Sequence, residues 1–205
     1  NYEIGTDYRP LPGLTAKVTG FLRKGNNQID YVPTLGAQVI EASGLTNLDP
    51  ARTYRFAQNL FNVTTQGIET ELNYARQLTP KTRFDGSVGY TYVKVTNAEN
   101  IASQYLANIA RQVVSGTVGI TSNRVNGSLS GLWKQRDGVA VAAINRTQGT
   151  EYLVFNARLE VALLPRRLWI TGQVQNIFNE KYSDLLGAQM PTRWLMGGLR
   201  LALRR

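Results

Sequence analysis

The sequence contains no cysteine and no histidine. Without cysteine there is no disulfide framework, no thiolate metal site and no cysteine nucleophile. Without histidine a Ser-His-Asp triad and the usual zinc and haem ligand sets cannot be assembled. Long apolar runs are missing too. No stretch of about 18 apolar residues exists, so no helix is expected to span a bilayer. There is no glycine-rich phosphate loop, calcium loop or metal-ligand spacing. The start, Asn1-Tyr2-Glu3-Ile4-Gly5, has no signal-peptide character. It falls inside what looks like a strand, which suggests a fragment or a processed chain.

What is present fits one ordinary domain: 205 residues, 42% hydrophobic and 18% charged. Lysine and arginine number 23 against 14 acids, a net charge of +9. That charge suits nucleic acid or an anionic membrane surface.

The dominant pattern has period two, the signature of strands. From Tyr152 to Leu163 the odd positions are Leu153, Phe155, Ala157, Leu159, Val161 and Leu163, all apolar. The even positions include Asn156, Arg158 and Glu160. A strand of that length spans roughly 33–40 Å, enough to cross a bilayer when tilted. Similar alternation marks 67–74, 83–92, 114–121, 168–175 and 194–203, and weaker alternation runs through Tyr2–Arg9, Leu14–Lys24 and Gly127–Arg136. Together these predict about nine strands. Tyr90 and Tyr92 fall on the apolar face near one end of their strand, and Tyr74 near the opposite end of its own, as expected of rings at headgroup level.

The connections alternate as well. Short turns are expected at Pro10–Gly13, Leu78–Thr82, Asn123–Asn126 and Leu164–Arg167, and long polar loops at about 26–59, 96–110, 137–150 and 180–191. Strict alternation of short and long connections is the pattern of an up-and-down barrel with unlike rims. Bacterial outer-membrane barrels have short periplasmic turns and long extracellular loops. A soluble β-sandwich would have strands of about 5–6 residues and no such alternation. The expected fold is therefore all-β: a transmembrane antiparallel up-and-down barrel. Basic residues are spread over both rims and mid-strand rather than gathered on one element, so nucleic acid is not the expected partner. The short-turn rim collects Arg9, Lys81, Arg83, Arg124, Arg166, Arg167, Arg204 and Arg205, a surface for anionic phospholipid headgroups.

Two segments carry family information. One is Asn62-Val63-Thr64-Thr65-Gln66-Gly67-Ile68-Glu69-Thr70-Glu71-Leu72, containing G-I-E-x-E. The other runs from Val174 through Asn176-Ile177-Phe178-Asn179-Glu180-Lys181-Tyr182 to Arg193-Trp194. Both resemble the C-terminal half of the barrel of TonB-dependent outer-membrane receptors, the N-I-F-N-x-x-Y step being the more specific. The resemblance extends over essentially the whole chain and implies a 22-stranded barrel, plugged by an N-terminal domain, that binds a scarce ligand outside. It then imports that ligand with energy relayed by TonB. Residues 1–205 would be the C-terminal portion of that barrel, an open arc of about nine strands. The plug, the TonB-contacting segment and the first barrel strands would be absent. Implied ligands are ferric siderophores first, then haem, cobalamin or glycans. The chain ends Leu203-Arg204-Arg205, whereas family members usually end on an aromatic residue. A complete small outer-membrane barrel with a structural or adhesive role is the alternative. An odd strand number counts against it.

Parity places Lys134, Arg136, Gln175 and Trp194 on the lumen side at the long-loop end. Cations with amide and aromatic groups suit an anionic, oxygen-rich ligand. Tyr54, Arg55 and Phe56 form a second candidate capture surface in a polar loop. Mid-strand Arg158, Glu160, Glu69 and Glu71 are expected to form ion-pair networks in the lumen. They have no nucleophile, metal or acid beside them. No catalytic residue, resident metal or cofactor is expected, and the chain is not expected to be an enzyme.

Overall fold

A computed structural model of the chain describes residues 1–60, 62–97, 104–143, 150–165, 167–185 and 187–202. The expectations on Arg166, Leu203, Arg204 and Arg205 lie outside the described residues, as do parts of the loops at 96–110 and 137–150. In chain order the strands are β1 (Tyr2–Leu11), β2 (Leu14–Gly25), β3 (Gln28–Leu35), β4 (Thr53–Leu60), β5 (Val63–Thr79), β6 (Thr82–Asn97), β7 (Ala110–Ser122), β8 (Val125–Arg136), β9 (Glu151–Leu164), β10 (Leu168–Gln175) and β11 (Trp194–Leu201). Short helices α1 (Gly36–Ser43), α2 (Gln104–Asn108) and α3 (Gly138–Ala143) lie in the long connections.

Nine strands form one antiparallel sheet in the order β1-β2-β5-β6-β7-β8-β9-β10-β11. Every neighbour in the sheet is also the next sheet strand in sequence, so the sheet is a plain meander. β5 and β6 run to 17 and 16 residues, far beyond the length of an ordinary soluble strand. Among the described residues β1 and β11 each have a single neighbour and do not pair with each other. Both are exposed along their whole length. The sheet is thus an open arc, not a closed small barrel.

The two faces sort by polarity. One carries Leu153, Leu159, Leu163, Ile170, Leu199, Val118, Leu129, Ile68 and Leu72, all exposed. The register aligns them into one continuous surface. Ile170, for instance, lies between Val161 and Leu199, and Val118 lies beside Leu129. Water would not tolerate so large an apolar surface, whereas lipid does. The other face carries Lys17, Glu69, Glu71, Ser87, Ser115, Asn156, Arg158 and Thr171 and lines the lumen. Among the described residues, conventional core is confined to the long-loop end. There Val32 and Val63 pack with Val95 and Leu106, and Ala107 with Val141 and Ala140.

Two glycines have steric reasons. Gly13, between β1 and β2, has φ +83°, and an added Cβ would lie 2.1 Å from the Ala75 carbonyl oxygen. Gly67, in the G-I-E-x-E strand, leaves the space that the Phe21 ring fills on the neighbouring strand; a Cβ there would lie 2.7 Å from Phe21 Cζ.

One expectation needs correction. The segment 26–59 is not a plain polar loop, because β3 and β4 pair into a separate hairpin with α1 between them. The alternation was hidden for a physical reason. Val32 and Thr34 are buried on one face, while Ile29 and Tyr31 are exposed on the other, so neither face is simply polar. Pro33 also interrupts the strand signal.

Candidate functional site

The candidate surface is the polar face of the sheet at the long-loop end, together with the loops that fold over it. Its organiser is the connection between β10 and β11, which begins with the Asn176-Ile177-Phe178-Asn179 step. Asn176 and Asn179 have φ of 53° and 59°, a backbone region that asparagine tolerates better than most residues. Asn176 is buried, and its side chain ties the loop ends together. Its Oδ1 accepts from Glu180 N at 2.8 Å, and its Nδ2 donates to the carbonyls of Glu180 and Pro191 at 2.8 and 3.4 Å. Its backbone N–H donates to Asn156 Oδ1 on β9 at 2.9 Å. Asn179 Oδ1 accepts from Arg193 N at 3.0 Å, just before β11 starts. Between them Phe178 turns outward and meets Phe155 edge-on, with centroids 5.6 Å apart. The motif is therefore a knot that sends one aromatic to the membrane side and folds the rest of the loop over the lumen.

The loop is then latched to the wall. Asp184 Oδ1 accepts from Lys134 Nζ at 2.7 Å and from the Tyr152 hydroxyl at 2.6 Å. The Arg136 guanidinium donates to the Asp184 main-chain carbonyl and, at 3.4 Å, to that of Asn108, the last residue of α2. Tyr182 lies over Tyr152 with ring centroids 4.6 Å apart. The Asp184 carboxyl is held below its ordinary range, first by the Lys134 hydrogen bond and next by that from Tyr152.

The predicted site residues separate into groups. Lys134 and Arg136 lie where parity put them, and both are engaged with the loop, Arg136 being only 2% exposed. Gln175 and Trp194 are directly opposite each other at the outer ends of β10 and β11. Both are exposed, and Trp194 is 53% accessible. Tyr54, Arg55 and Phe56 do not share a face. They are consecutive in β4, so Tyr54 and Phe56 lie half-buried on one side and Arg55 exposed on the other. The Tyr54 hydroxyl accepts from Asp49 N at 3.0 Å and thus pins the α1–β4 connection. Sequence reasoning missed Asp184, Tyr152, Tyr182 and Asn176 as organisers. Asparagine at both ends of the four-residue step, a residue type suited to left-handed turns, was the available signal.

Deeper in the lumen, Glu160 accepts from Arg158 at 2.8 Å and Thr171 at 3.2 Å and faces Arg200 at 3.6 Å. The Arg200 guanidinium stacks on Trp169, 3.8 Å from its centroid. The expected ion-pair network thus exists around Glu160. Glu69 and Glu71 differ: among the described residues neither has a cation within ion-pair distance. They border, with Lys17, Thr19 and Ser87, a shallow depression of about 310 Å³. No group of three or more acids placed to hold a metal occurs among the described residues.

Comparison with known proteins follows the same geometry. No curated protein sequence matches the chain. Among solved structures, the ferripyoverdine receptor of the outer membrane of Pseudomonas aeruginosa superposes with a TM-score of 0.62 at 14% identity, covering 98% of this chain and 26% of that one. The copper transporter OprC gives 0.64 at 15% identity, with 97% and 30% covered. The FrpB iron transporter from Neisseria meningitidis gives 0.61 at 16% identity, with 96% and 30% covered. At such identities the likeness establishes fold, and the chain spans under a third of these proteins. Family membership rests on sequence: residues 1–177 match the family described as TonB dependent receptor-like, beta-barrel. With its open meander, lipid-compatible outer face and loops folded over a polar lumen, the chain belongs to the TonB-dependent receptor β-barrel family of the bacterial outer membrane.

Proposed function

We propose that residues 1–205 are the C-terminal portion of the barrel of an outer-membrane importer. Its cargo is a scarce small ligand, a ferric siderophore first among the candidates. The observation that carries this reading is the open edge on both β1 and β11. Hydrocarbon does not tolerate unpaired strand edges, so further strands must complete the wall. A plug and the TonB-contacting segment belong to the rest of such a protein. The function is selective binding followed by energy-coupled passage, without a chemical step on the ligand.

Gln175 and Trp194 offer an amide and an exposed ring at the mouth of the lumen. Lys134 and Arg136 lie behind the latched loop, and Arg55 stands on the exposed face of the β3–β4 hairpin. An anionic chelate reaching Lys134 would have to displace the Asp184 carboxylate. The test is uptake of radiolabelled ferric siderophores by iron-starved cells whose only receptor is the full-length protein. Binding and TonB-dependent uptake of at least one ferric chelate are expected, with Trp194→Ala and Gln175→Ala lowering uptake at unchanged surface abundance. Uptake of cobalamin or a glycan, with none for any ferric chelate, would replace the ligand assignment. Folding of residues 1–205 alone into a closed, membrane-inserted barrel would overturn the importer reading.

A further inference from the structure

The helix α2 is five residues long, and an isolated helix shorter than about 12–15 residues is marginal in water. It stays helical only through what holds it from outside. Three successive residues meet three different elements, because each is turned by about 100° around the axis from the one before. Leu106 packs on the cluster of Val32 from β3 and Val63 from β5. Ala107 is buried against Val141 of α3. The Asn108 carbonyl accepts from Arg136 Nε at 3.4 Å. At the start of the helix the Tyr105 N–H donates to Asp30 Oδ2 on β3 at 3.0 Å.

Arg136, the last residue of β8, joins this helix to the rest of the mouth. Its Nε serves the carbonyl of Asn108, 28 residues before it, and its Nη2 that of Asp184, 48 residues after it. Two bonds from two nitrogens need the planar fork of a guanidinium; an ammonium is a single point charge. The Arg136 N–H also donates to the Thr150 carbonyl at 2.6 Å, where the α3–β9 connection ends. The guanidinium carbon lies 6.0 Å from the Tyr152 ring centroid. One buried cation thus touches the β6–β7, β8–β9 and β10–β11 connections, and α2 carries the contact on to the β3–β4 hairpin.

We infer that Arg136 is a positioning residue that makes the long connections at the mouth open and close as one unit. The element with two states is α2, which is helical while its supports are in place and melts when one is withdrawn. When the β10–β11 loop lifts, Arg136 loses the Asp184 carbonyl, its hold on Asn108 slackens, and the hairpin loses the helix on which Val32 packs. The coupling runs equally in the other direction, so a contact that moves the hairpin shifts the latched loop by the same free energy. No ligand has to touch Arg136 for this, and the coupling does not depend on which ligand is imported.

The test is hydrogen–deuterium exchange of the full-length receptor without ligand. It is read at the Ile109 N–H, bonded to the Leu106 carbonyl at 3.2 Å, and at the Met190 N–H, bonded to that of Tyr182 at 2.9 Å. Val32→Ala removes two buried methyl groups at the hairpin end and should speed exchange by about tenfold at Ile109 and about threefold at Met190. In an Arg136→Lys background the same substitution should still speed Ile109 but leave Met190 at the rate set by Arg136→Lys alone. Amides of β8 and β9 should stay protected throughout, and heat-modifiable gel mobility confirms that each variant is folded. If Val32→Ala does not fold, Asp30→Ala removes the acceptor of the Tyr105 N–H and should give the same pattern. Arg136→Gln replaces Arg136→Lys on the same ground. Acceleration at Ile109 with none at Met190 in the wild-type background would mean that the connections open separately, and would refute the inference. Acceleration at Met190 in both backgrounds would remove Arg136 from the coupling, and equal loosening of β8 and β9 would make the effect global; either overturns it.

Discussion

Replacing Asp184 by alanine should release the β10–β11 loop while leaving the barrel wall intact. Two interactions are lost. The Lys134 ion pair joins a lysine 19% exposed to an aspartate 45% exposed, so solvent screening keeps its share to about 0.2–1 kcal/mol. The Tyr152 hydrogen bond matters more. That residue is 4% exposed, and its hydroxyl would lose its acceptor in a buried setting, at about 1–3 kcal/mol. Arg136 holds the main-chain carbonyl of Asp184 and should survive the substitution. Together the loop should lose about 2–3 kcal/mol of local stability. Tyr152→Phe removes the donor without orphaning a group and should cost less.

Hydrogen–deuterium exchange of the full-length receptor measures this directly. The Met190 N–H bonds to the Tyr182 carbonyl at 2.9 Å, and the Ala188 N–H to that of Leu185 at 3.0 Å. Their exchange should accelerate by roughly 30–150-fold for 2–3 kcal/mol, at about tenfold per 1.4 kcal/mol, while β8 and β9 amides stay protected. Asp184 has a folded pKa below its ordinary value. The latch is therefore at full strength above the ordinary carboxylate range, about pH 4, and is lost as pH falls through the depressed value. Unchanged exchange in the variant, or equal acceleration in β8 and β9, would refute the idea of a locally latched loop.

Other perturbations test the wall itself. Leu159→Arg should cost about 2–4 kcal/mol in lipid-vesicle unfolding of the full receptor if the site lies near the bilayer midplane, whereas a loss below ~1 kcal/mol would put the apolar face on the wrong side. Gly13→Ala combines a strained φ with a clash against Ala75, so about 1–3 kcal/mol should be lost and the β1–β2 amides should exchange faster. Val139→Cys, on an exposed residue of the third long connection, should react with an impermeant maleimide on intact cells, while Lys81→Cys in a short turn should not. The opposite labelling pattern would invert the topology.

Much of this wall is visible in the sequence because a lipid-facing strand needs an unbroken apolar row and a lumen-facing row does not. The register of β9 follows from Leu153, Phe155, Leu159 and Val161 alone, and the four short turns fall where Pro, Gly and Asn break the alternation. The β3–β4 hairpin was illegible because its burial comes from α2 and from the loop-end residues Val63 and Val95 of β5 and β6, not from lipid. Its two faces are thus chemically mixed. Once that segment is known to be a strand, the separation of Arg55 from Tyr54 and Phe56 is automatic. Asp184 was illegible for another reason. Its partner Lys134 is 50 residues away in sequence, and no local pattern announces that a loop turns back over the wall.

The latch changes what the mouth of the lumen presents. Parity alone makes it cationic, through Lys134 and Arg136. With the loop in place the Asp184 carboxylate is spent on Lys134, and Arg136 is buried against two carbonyls. Of the four residues that parity places there, the two that stay accessible are an aromatic ring and an amide, Trp194 and Gln175. If this end takes the proposed ligand, these two neutral groups are suited to stacking and hydrogen bonding with it, and Lys134 and Arg136 lie one layer behind. Those cations become available only when Asp184 leaves, and an anionic ligand competes for the same donors. Opening the loop and binding such a ligand are therefore linked: any ligand that takes Lys134 must shift the loop equilibrium by the free energy with which it outcompetes the carboxylate. Asp184→Ala removes the competitor, so a ligand that uses Lys134 should bind the variant more tightly than the wild type. A ligand held only by Trp194 and Gln175 should bind both alike.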